Sequence, residues 1–227
     1  MNASVYVVIP AFNEGRVIAD VIREVQAAGD YKIIVVDDGS RDGTYAEAAS
    51  CPGVVALRHR INRGKGAATK TGIVAANRLG ADIIVTLDGD GQHDPLDIER
   101  LIQPILVGEC EVVLGVRRKK QGEMPFLKII ANRIGNTVTW FLYGLHVSDS
   151  QSGFRAYSRY AAGIIDTKAD KYEYDSKVIR EINNNRLPFR EVPIRVRYTE
   201  YSMGKPQKQG IINGIKTLYR MIWDMLV

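Results

Sequence analysis

Short apolar runs recur along the chain, and the segments between them carry apolar residues at helical spacing. The runs are rich in β-branched residues and stop near Gly, Pro or Asp, which predicts strands buried on both faces of a sheet. They span residues 5–9, 33–36, 54–57, 83–87 and 111–115. Strand, helix and strand in this order predict right-handed parallel crossovers. The expected fold class is α/β, Rossmann-like, with a mostly parallel central sheet flanked by helices.

The intervening segments predict the helices. Residues 15–28 and 94–107 each place apolar side chains on one face, and an alanine-rich helix follows Gly66. The side chains expected to pack are Val17, Ile18, Val21, Ile22, Val25, Leu96, Leu101, Ile102, Ile105 and Leu106. Pro10 is expected to end the first strand, because proline cannot continue a central hydrogen-bond ladder. Residues 192–198 predict an edge strand.

The run at 83–87 leads directly into residues 88–95 (DGDGQHDP). Side chains two apart on an extended chain point the same way, so Asp88 and Asp90 are expected to face one ligand. Open α/β sheets bind ligands at this carboxyl edge. Two carboxylates and a nearby amide oxygen suit Mg²⁺ or Mn²⁺, which take further oxygens from a substrate diphosphate. The alternative is a turn before a helix, with Asp94 as N-cap and Pro95 as the first helical residue.

Other polar positions allow two interpretations each. The basic loop at 58–66 is not a Walker A motif, and it indicates a helix N-terminus near a nucleotide, with Lys65 either touching the ligand or solvated. His93 is either an extra metal ligand or, as we prefer, a structural residue. Glu173 and Asp175 either reach sugar hydroxyls or start a helix.

Composition narrows the class of partner. The chain is 45% hydrophobic and carries a net charge of +5, which favours an anionic partner. Nucleic acid is disfavoured, because the basic residues are scattered and no RNA-recognition signature is present. Cys51 and Cys110 are too isolated for a disulfide framework, which favours a reducing, cytosolic setting. No apolar stretch approaches the roughly 18 residues of a spanning helix, and the first residues do not resemble a secretory signal.

Six motifs follow one another along the chain. They are 9–14 (IPAFNE), 36–40 (VDDGS), 62–66 (NRGKG), 88–93 (DGDGQH), 115–117 (GVR) and 149–155 (DSQSGFR). Their order and spacing closely resemble glycosyltransferase family 2, and within it the branch of dolichyl-phosphate mannose synthases and polyprenyl-phosphate glycosyltransferases. The resemblance implies a GT-A-type fold, a GDP- or UDP-linked hexose donor (mannose, glucose or GlcNAc), a divalent metal, inversion at the anomeric carbon, and dolichyl or polyprenyl phosphate as acceptor.

The same resemblance implies roles for matching residues. Catalytic roles fall to Asp88, Asp90 and Arg117. The metal ligands are Asp88, Asp90 and Gln92, and the acceptor-phosphate contacts are Arg117, Arg133 and Ser152. The nucleotide-sugar contacts, with Asp38 against the base, are Pro10, Phe12, Glu14, Val36, Asp38, Lys65, Asp88, Gly89, Asp90, Arg117, Arg197 and Lys205. The chain departs from the family at Thr199, often arginine, so either Arg197 replaces it or the donor is held differently. GDP-mannose is therefore not assigned.

The expected mechanism follows from the charge of the acceptor. A phosphate monoester is already an anion near neutral pH, so it attacks without a general base, whereas a hydroxyl acceptor needs a carboxylate to take its proton. The alternative function is a family 2 glycosyltransferase acting on a sugar or polysaccharide hydroxyl. The chain lacks the Gln-x-x-Arg-Trp motif of processive polysaccharide synthases, which lowers that alternative.

Two amphipathic stretches lie outside the nucleotide motifs. Residues 126–145 follow a basic run at 117–120, which predicts either a helix in the membrane interface or an ordinary core helix. Residues 207–227 form a C-terminal amphipathic helix, either an interfacial anchor or a homo-oligomer contact, after a catalytic domain at 1–206. We expect peripheral contact with the cytoplasmic face of a membrane.

Overall fold

A computed structural model of the chain describes residues 3–117, 136–137, 140–167, 169–170 and 173–197. The strands within these ranges are β1 (Val5–Ala11), β2 (Lys32–Asp37), β3 (Val54–Arg58), β4 (Ile83–Thr86), β5 (Val112–Arg117), β6 (Arg155–Ser158) and β7 (Phe189–Ile194). The helices are α1 (Ile18–Ala28), α2 (Thr44–Ser50), α3 (Lys65–Arg78), α4 (Ile98–Leu106), α5 (Arg159–Ile164) and α6 (Tyr174–Asn184), and a 3₁₀ turn (Pro95–Asp97) precedes α4.

The strands form one sheet in the order β3-β2-β1-β4-β6-β5-β7. Strand β6 runs antiparallel to both of its neighbours, and the other neighbouring pairs are parallel. The chain builds outward from β1 through β2 to β3 and then returns to place β4 on the other side of β1. The carboxyl ends of β1 and β4 therefore form a topological switch point, where open α/β sheets bind their ligands.

Two apolar cores cover the two faces of the sheet, because successive side chains of a strand point to opposite faces. Val5, Val7 and Ile9 of β1 pack in one core with α1, α2 and α4. Tyr6 and Val8 pack in the other core with α3, α5 and α6. The expected Rossmann-like arrangement of a mostly parallel sheet between helical layers is thus confirmed.

The prediction that Pro10 ends the first strand is wrong. Strand β1 continues through Pro10 to Ala11 in register with β2. The backbone N–H of Leu87 donates to the carbonyl oxygen of Val8 at 3.0 Å, so Val8 faces β4. Residues two apart face the same neighbour, so the nitrogen of Pro10 also faces β4, which has already ended at Thr86. No ladder hydrogen bond is lost there.

The predicted helix at 94–107 is also corrected. Asp94 is the expected N-cap, since its side chain accepts a hydrogen bond from the Leu96 N–H at 3.2 Å, but the first turn is 3₁₀ and the α-helix begins at Ile98. Leu96 and Leu106 are 59% and 46% exposed, so the prediction that they pack is wrong. Strand β7 lies at the sheet edge, as expected for this segment, although it spans Phe189–Ile194.

Several predictions fall on residues outside the described ranges. These are the basic run beyond Arg117, the greater part of the 126–145 stretch, Arg133, Thr199, Lys205 and the helix at 207–227. Among the helices of the described part of the chain, none combines the length and apolarity needed to cross a bilayer.

Candidate active site

The paired acids lie in a turn just beyond β4. The strand ends at Thr86, so Asp88 and Asp90 follow it and do not share one extended segment as predicted. Gly89 between them packs against the end of β1, where an added Cβ would lie 3.1 Å from the Pro10 carbonyl oxygen and 3.3 Å from the Ala11 Cβ. This close approach holds the acidic turn at the switch point.

Asp88 is paired with a lysine from another element. The ammonium of Lys65, the first residue of α3, lies 2.9 Å from Asp88 Oδ1 and 3.3 Å from Oδ2 of Asp175 in the first turn of α6. Burial alone would lower the pKa of Lys65, but the negative charges of Asp175 and Asp88 outweigh burial and raise it. Burial alone would raise the pKa of Asp88, and Lys65 outweighs that effect and lowers it. Both groups therefore remain charged at neutral pH.

Asp90 has the opposite electrostatic balance. Its Oδ1 accepts a hydrogen bond from the Gln92 backbone N–H at 3.1 Å. Burial, followed by the nearby negative charge of Asp88, raises the pKa of Asp90. Two crowded carboxylates, only one of them balanced by a lysine, form a hard-oxygen donor set that a divalent cation would satisfy.

The donor set is nevertheless small. Within the described ranges, no three His, Cys, Asp or Glu side chains converge as a metal site. Asp88 and Asp90 would therefore hold an ion together with other oxygens, such as the Gln92 amide or a substrate diphosphate. Mg²⁺ and Mn²⁺ are often bound in this way, through one or two carboxylates plus substrate phosphates. The residues present fit such an ion.

His93 occupies a structural position. It is buried, its Nδ1 accepts a long hydrogen bond of 3.4 Å from the Asp88 N–H, and its ring centroid lies 5.0 Å from that of Phe154. Burial lowers the pKa of His93, which favours the neutral ring. These contacts support our preferred interpretation of His93 as a residue that shapes the turn.

The 149–155 motif closes the other side of the acidic turn. An added Cβ at Gly153 would overlap Lys65 Nζ and lie 2.9 Å from Asp88 Oδ1, so this backbone lies directly against the ion pair. The guanidinium of Arg155, only 1% exposed, donates to the carbonyl oxygens of Ser152, Ser150 and Asp175 at 2.8–3.0 Å. Arg155 thus braces the segment that contacts Asp88.

Sequence reasoning assigned no role to Arg155. The sequence does show one indication of a structural role, because Arg155 is a charged residue at the start of a short, buried strand. The brace itself joins Arg155 to Asp175 of α6, which no local pattern could show.

Arg117 and Ser152 meet the same segment. The Arg117 guanidinium forms a bidentate ion pair with Asp149, with Nε–Oδ2 and Nη2–Oδ1 distances of 2.6 and 2.7 Å. Sequence reasoning missed Asp149 as the partner that fixes this fork. Ser152 is buried, and its hydroxyl has no hydrogen-bond partner among the described residues. Their roles at an acceptor phosphate stay predictions.

A cleft of about 770 Å³ opens beside the carboxyl ends of β1, β2 and β3. It is lined by Phe12, Asn13, Gly39, Ser40, Arg41, Arg58, His59, Arg60, Ile61 and Asn62. The lining combines an aromatic ring, polar groups and three arginines, which suits a nucleoside and its phosphates. Phe12 is the predicted nucleoside contact that the structure places directly on this cleft.

Three other predicted nucleotide contacts, Asp38, Glu14 and Val36, are buried. Asp38 is buried, and its carboxylate accepts hydrogen bonds from His59 Nδ1 at 2.7 Å, the Arg63 N–H at 3.0 Å and the Gly64 N–H at 2.7 Å. Glu14 is buried too, and its carbonyl oxygen accepts from the first N–H groups of α1. Val36 is fully buried in the core, and its nucleotide contact stays a prediction that favours its backbone over its side chain.

The interpretations of Lys65 and Arg197 also change. Lys65 is partly exposed but already paired with carboxylates, and the first turn of α3 is partly covered, since the Ala67 N–H donates to the Asp170 carbonyl oxygen at 3.0 Å. Arg197 lies 2.7 Å from both Glu24 and Asp94 and so braces the start of α4. A donor contact by Arg197 would require it to leave these carboxylates, and it stays a prediction.

The fold and the acidic switch-point turn are typical of nucleotide-binding α/β proteins, and they include a candidate metal site. The profile of the family described as Glycosyl transferase family 2 matches residues 6–163, which is more than half of the chain. The chain belongs to this family and is a glycosyltransferase, as the sequence motifs predicted.

Relatives match over nearly the whole length. An uncharacterized protein of Methanocaldococcus jannaschii is 41% identical over 227 residues, with 98% of this chain and 92% of the relative covered. A UDP-N-acetylglucosamine–dolichyl-phosphate N-acetylglucosaminyltransferase of Methanococcus voltae is 39% identical over 239 residues, with 96% and 94% covered.

Among solved structures, glucosyl-3-phosphoglycerate synthase from Mycobacterium tuberculosis, in complex with Mn²⁺, UDP and glucosyl-3-phosphoglycerate, gives a TM-score of 0.72. It is 23% identical, with 99% of this chain and 79% of that chain covered. At this level of identity the likeness establishes the fold, and the GT-A-type prediction is confirmed.

Proposed function

We propose that this glycosyltransferase moves a hexose from a nucleoside-diphosphate sugar to dolichyl or polyprenyl phosphate, with inversion at the anomeric carbon. The observation that carries the proposal is the meeting of Asp88, Asp90, Lys65 and the Gly153 backbone at one sheet edge, beside a cleft of nucleoside size. The Methanococcus voltae relative, matched over nearly its full length, supports the lipid phosphate as acceptor.

The donor would bind with its nucleoside in the cleft beside Phe12 and its diphosphate toward the acidic turn. Asp88, Asp90 and Gln92 would hold a divalent metal ion, Mg²⁺ or Mn²⁺, which when bound supplies Lewis-acid stabilisation of the departing nucleoside diphosphate. Lys65 supplies a positive charge at the same edge. These groups act mainly by positioning the donor and by stabilising negative charge as it develops.

The acceptor phosphate needs a positively charged side chain to hold it, and it does not need a general base. A lipid phosphate is already anionic, so no carboxylate has to remove a proton from the nucleophile. The Arg117 guanidinium, now paired with both carboxylate oxygens of Asp149, would exchange them for two phosphate oxygens, which lysine cannot hold in the same bidentate way. Arg117 would steer the acceptor phosphate toward the sugar, and Ser152 is the second residue proposed to contact that phosphate.

A membrane surface next to this face is part of the proposal. Trp140 and Phe141 are 52% and 84% exposed on a helical segment. Asn136, a few residues before Trp140, contacts the start of the 149–155 motif. Its side-chain amide donates to the Ser148 carbonyl oxygen, and its side-chain oxygen accepts from the Ser150 N–H. Exposed aromatic residues, in a chain that also carries a basic run at 117–120 of its sequence, favour peripheral binding to an anionic bilayer, here its cytoplasmic face.

The test is transfer from radiolabelled GDP- and UDP-sugars to short dolichyl and undecaprenyl phosphates, with Mn²⁺, Mg²⁺ or EDTA. We expect metal-dependent lipid product from one donor and its loss in Asp90→Ala. Asp82→Ala is the matched control, because Asp82 lies before the amino end of β4 and pairs with Arg159. Labelling of a soluble alcohol without lipid product would select the hydroxyl-acceptor function.

A further inference from the structure

The Lys65 ammonium lies where a cation would bind Asp88. We infer that Lys65 holds the place of the divalent metal ion on Asp88 while no donor is bound, and that it leaves Asp88 when metal and nucleoside diphosphate bind together. The inference rests on the proposed function, since it takes Asp88 and Asp90 as the metal ligands. It makes Lys65 a positioning residue that couples metal binding to donor binding.

The distances place the two cations in competition. Lys65 Nζ lies 2.9 Å from Asp88 Oδ1. A Mg²⁺ or Mn²⁺ ion binds a carboxylate oxygen at about 2.0–2.2 Å. With both cations on one carboxylate oxygen, their separation would be a few ångströms, and like charges repel strongly at that distance in a partly buried site.

The structure also provides a second position for the ammonium. Lys65 Nζ is already 3.3 Å from Asp175 Oδ2, while Asp175 Oδ1 lies 3.8 Å from the guanidinium of buried Arg155. Asp175 is therefore held in place on one side and open to lysine on the other. The flexible four-carbon stem of Lys65 can shift toward Asp175, or toward a donor phosphate, without moving α3.

The charges of the site predict weak binding of the metal alone. With all carboxylates ionised, Asp88, Asp90 and Asp175 face the positive charges of Lys65 and Arg155, which leaves one net negative charge, while Arg117 is paired with Asp149. A divalent ion added alone would leave the cluster with an excess positive charge. A nucleoside diphosphate offsets that excess and accepts the displaced lysine, so the two ligands bind cooperatively.

The experiment measures Mn²⁺ binding by electron paramagnetic resonance and calorimetry, without transfer activity. In the absence of nucleotide, we expect Lys65→Met to bind Mn²⁺ about tenfold more tightly than the wild type, within the usual range of coupling between sites. Adding UDP or GDP should tighten Mn²⁺ binding by the wild type by a similar factor and affect Lys65→Met much less. Lys65→Arg keeps the charge and should retain the weak nucleotide-free binding.

Lys70→Met is the matched control. Lys70 lies on the same helix but pairs with Asp170 at 2.5 Å, away from the acidic turn. It removes the same charge from the chain and should leave Mn²⁺ affinity at the wild-type value. A tenfold gain in Lys70→Met as well would mean that net charge, not the position of Lys65, controls the metal, and would overturn the inference.

The remaining outcomes separate this inference from the proposed function. Equal Mn²⁺ affinity in wild type and Lys65→Met, lost from both on Asp90→Ala, would overturn the coupling and leave the metal site intact. No Mn²⁺ binding in any variant would overturn both. If Lys65→Met fails to fold, the wild type alone decides, because nucleotide that leaves its Mn²⁺ affinity unchanged contradicts the coupling.

Discussion

Strands β2 and β4 lie on either side of β1, and each is followed by an aspartate whose charge is satisfied in a different way. Asp38 follows β2 and accepts hydrogen bonds from His59 and from the N–H groups of Arg63 and Gly64. Asp88 follows β4 and is balanced by the side chain of Lys65. Backbone donors are fixed by the fold, whereas a lysine ammonium is exchangeable. The first arrangement organises a loop, and the second leaves a carboxylate that can change partners.

The same contrast separates scaffold from chemistry within the donor site. Asp38 ties the end of β2 to the glycine loop that leads into α3, and so shapes one wall of the nucleoside cleft. Asp88 lies between Lys65, Asp90 and the Gly153 backbone, where charge has to be rebalanced whenever an anionic donor enters. A strand that ends in aspartate is therefore compatible with either role, and the donors around the carboxylate decide between them.

The largest effect should come from Asp88→Asn. It removes a predicted metal ligand but keeps the shape of the side chain, so we expect transfer to fall by about 10²–10³-fold, the usual cost of losing one transition-state charge partner. Folding should change little, because Lys65 keeps Asp175. Lipid-linked product and the thermal midpoint are measured together. A rate within tenfold of the wild type would show that Asp88 is a scaffold residue like Asp38.

Asp38→Ala should act mainly on stability. The change leaves the N–H groups of Arg63 and Gly64 and the ring nitrogen of His59 without their acceptor in a buried place. We expect a loss of about 3 kcal/mol in the free energy of unfolding, since each unsatisfied buried donor costs about 1–3 kcal/mol and part of the loop can reach water. Urea unfolding measures the loss.

The control for that variant is Asp42→Ala, which removes an acid that accepts from Thr44 and Gly15 at the protein surface. A smaller loss is expected there, because water can replace the carboxylate. Equal losses in the two variants, or an Asp38→Ala protein that unfolds like the wild type, would remove the distinction between the two strand-ending aspartates.

Sequence pattern predicted the parallel strands of the sheet and the location of the acidic turn because both depend on local features. It did not predict β6, the antiparallel strand. Apolar β-branched runs, and the stop at Asp88 and Asp90, are visible within a few residues. The behaviour of Pro10 was not predictable, since it depends on where the neighbouring strand β4 ends. Leu96 was misplaced because a 3₁₀ turn shifts the helical phase at Pro95.

The partners of the site residues could not be predicted for a different reason. Lys65 and Asp175 are 110 residues apart, and Arg117 and Asp149 are 32 apart, so each pairing exists only after helices pack on the sheet. Sequence analysis identified Lys65 and Arg117 as candidates, but it treated them as free to meet a ligand. The structure shows both already engaged with carboxylates, which is why donor binding must be considered as an exchange of partners.

Asp90→Asn should have the smallest effect of the three substitutions, but the direction of its effect on stability is well defined. Burial and the charge of Asp88 raise its pKa, so the folded protein binds a proton on Asp90 more readily than the unfolded chain does. The stability that Asp90 contributes is present below the pKa that Asp90 has in the unfolded chain, and it is lost as the pH rises through the pKa that Asp90 has in the folded protein.

At neutral pH without metal, Asp90→Asn should therefore be slightly more stable than the wild type. The expected gain is smaller than the loss in Asp38→Ala. The gain should vanish on acidification, and Mn²⁺ should stabilise the wild type and not the variant. Thermal midpoints across pH, with and without Mn²⁺, measure this, and a variant less stable than the wild type at neutral pH would mean that Asp90, like Asp38, serves the scaffold.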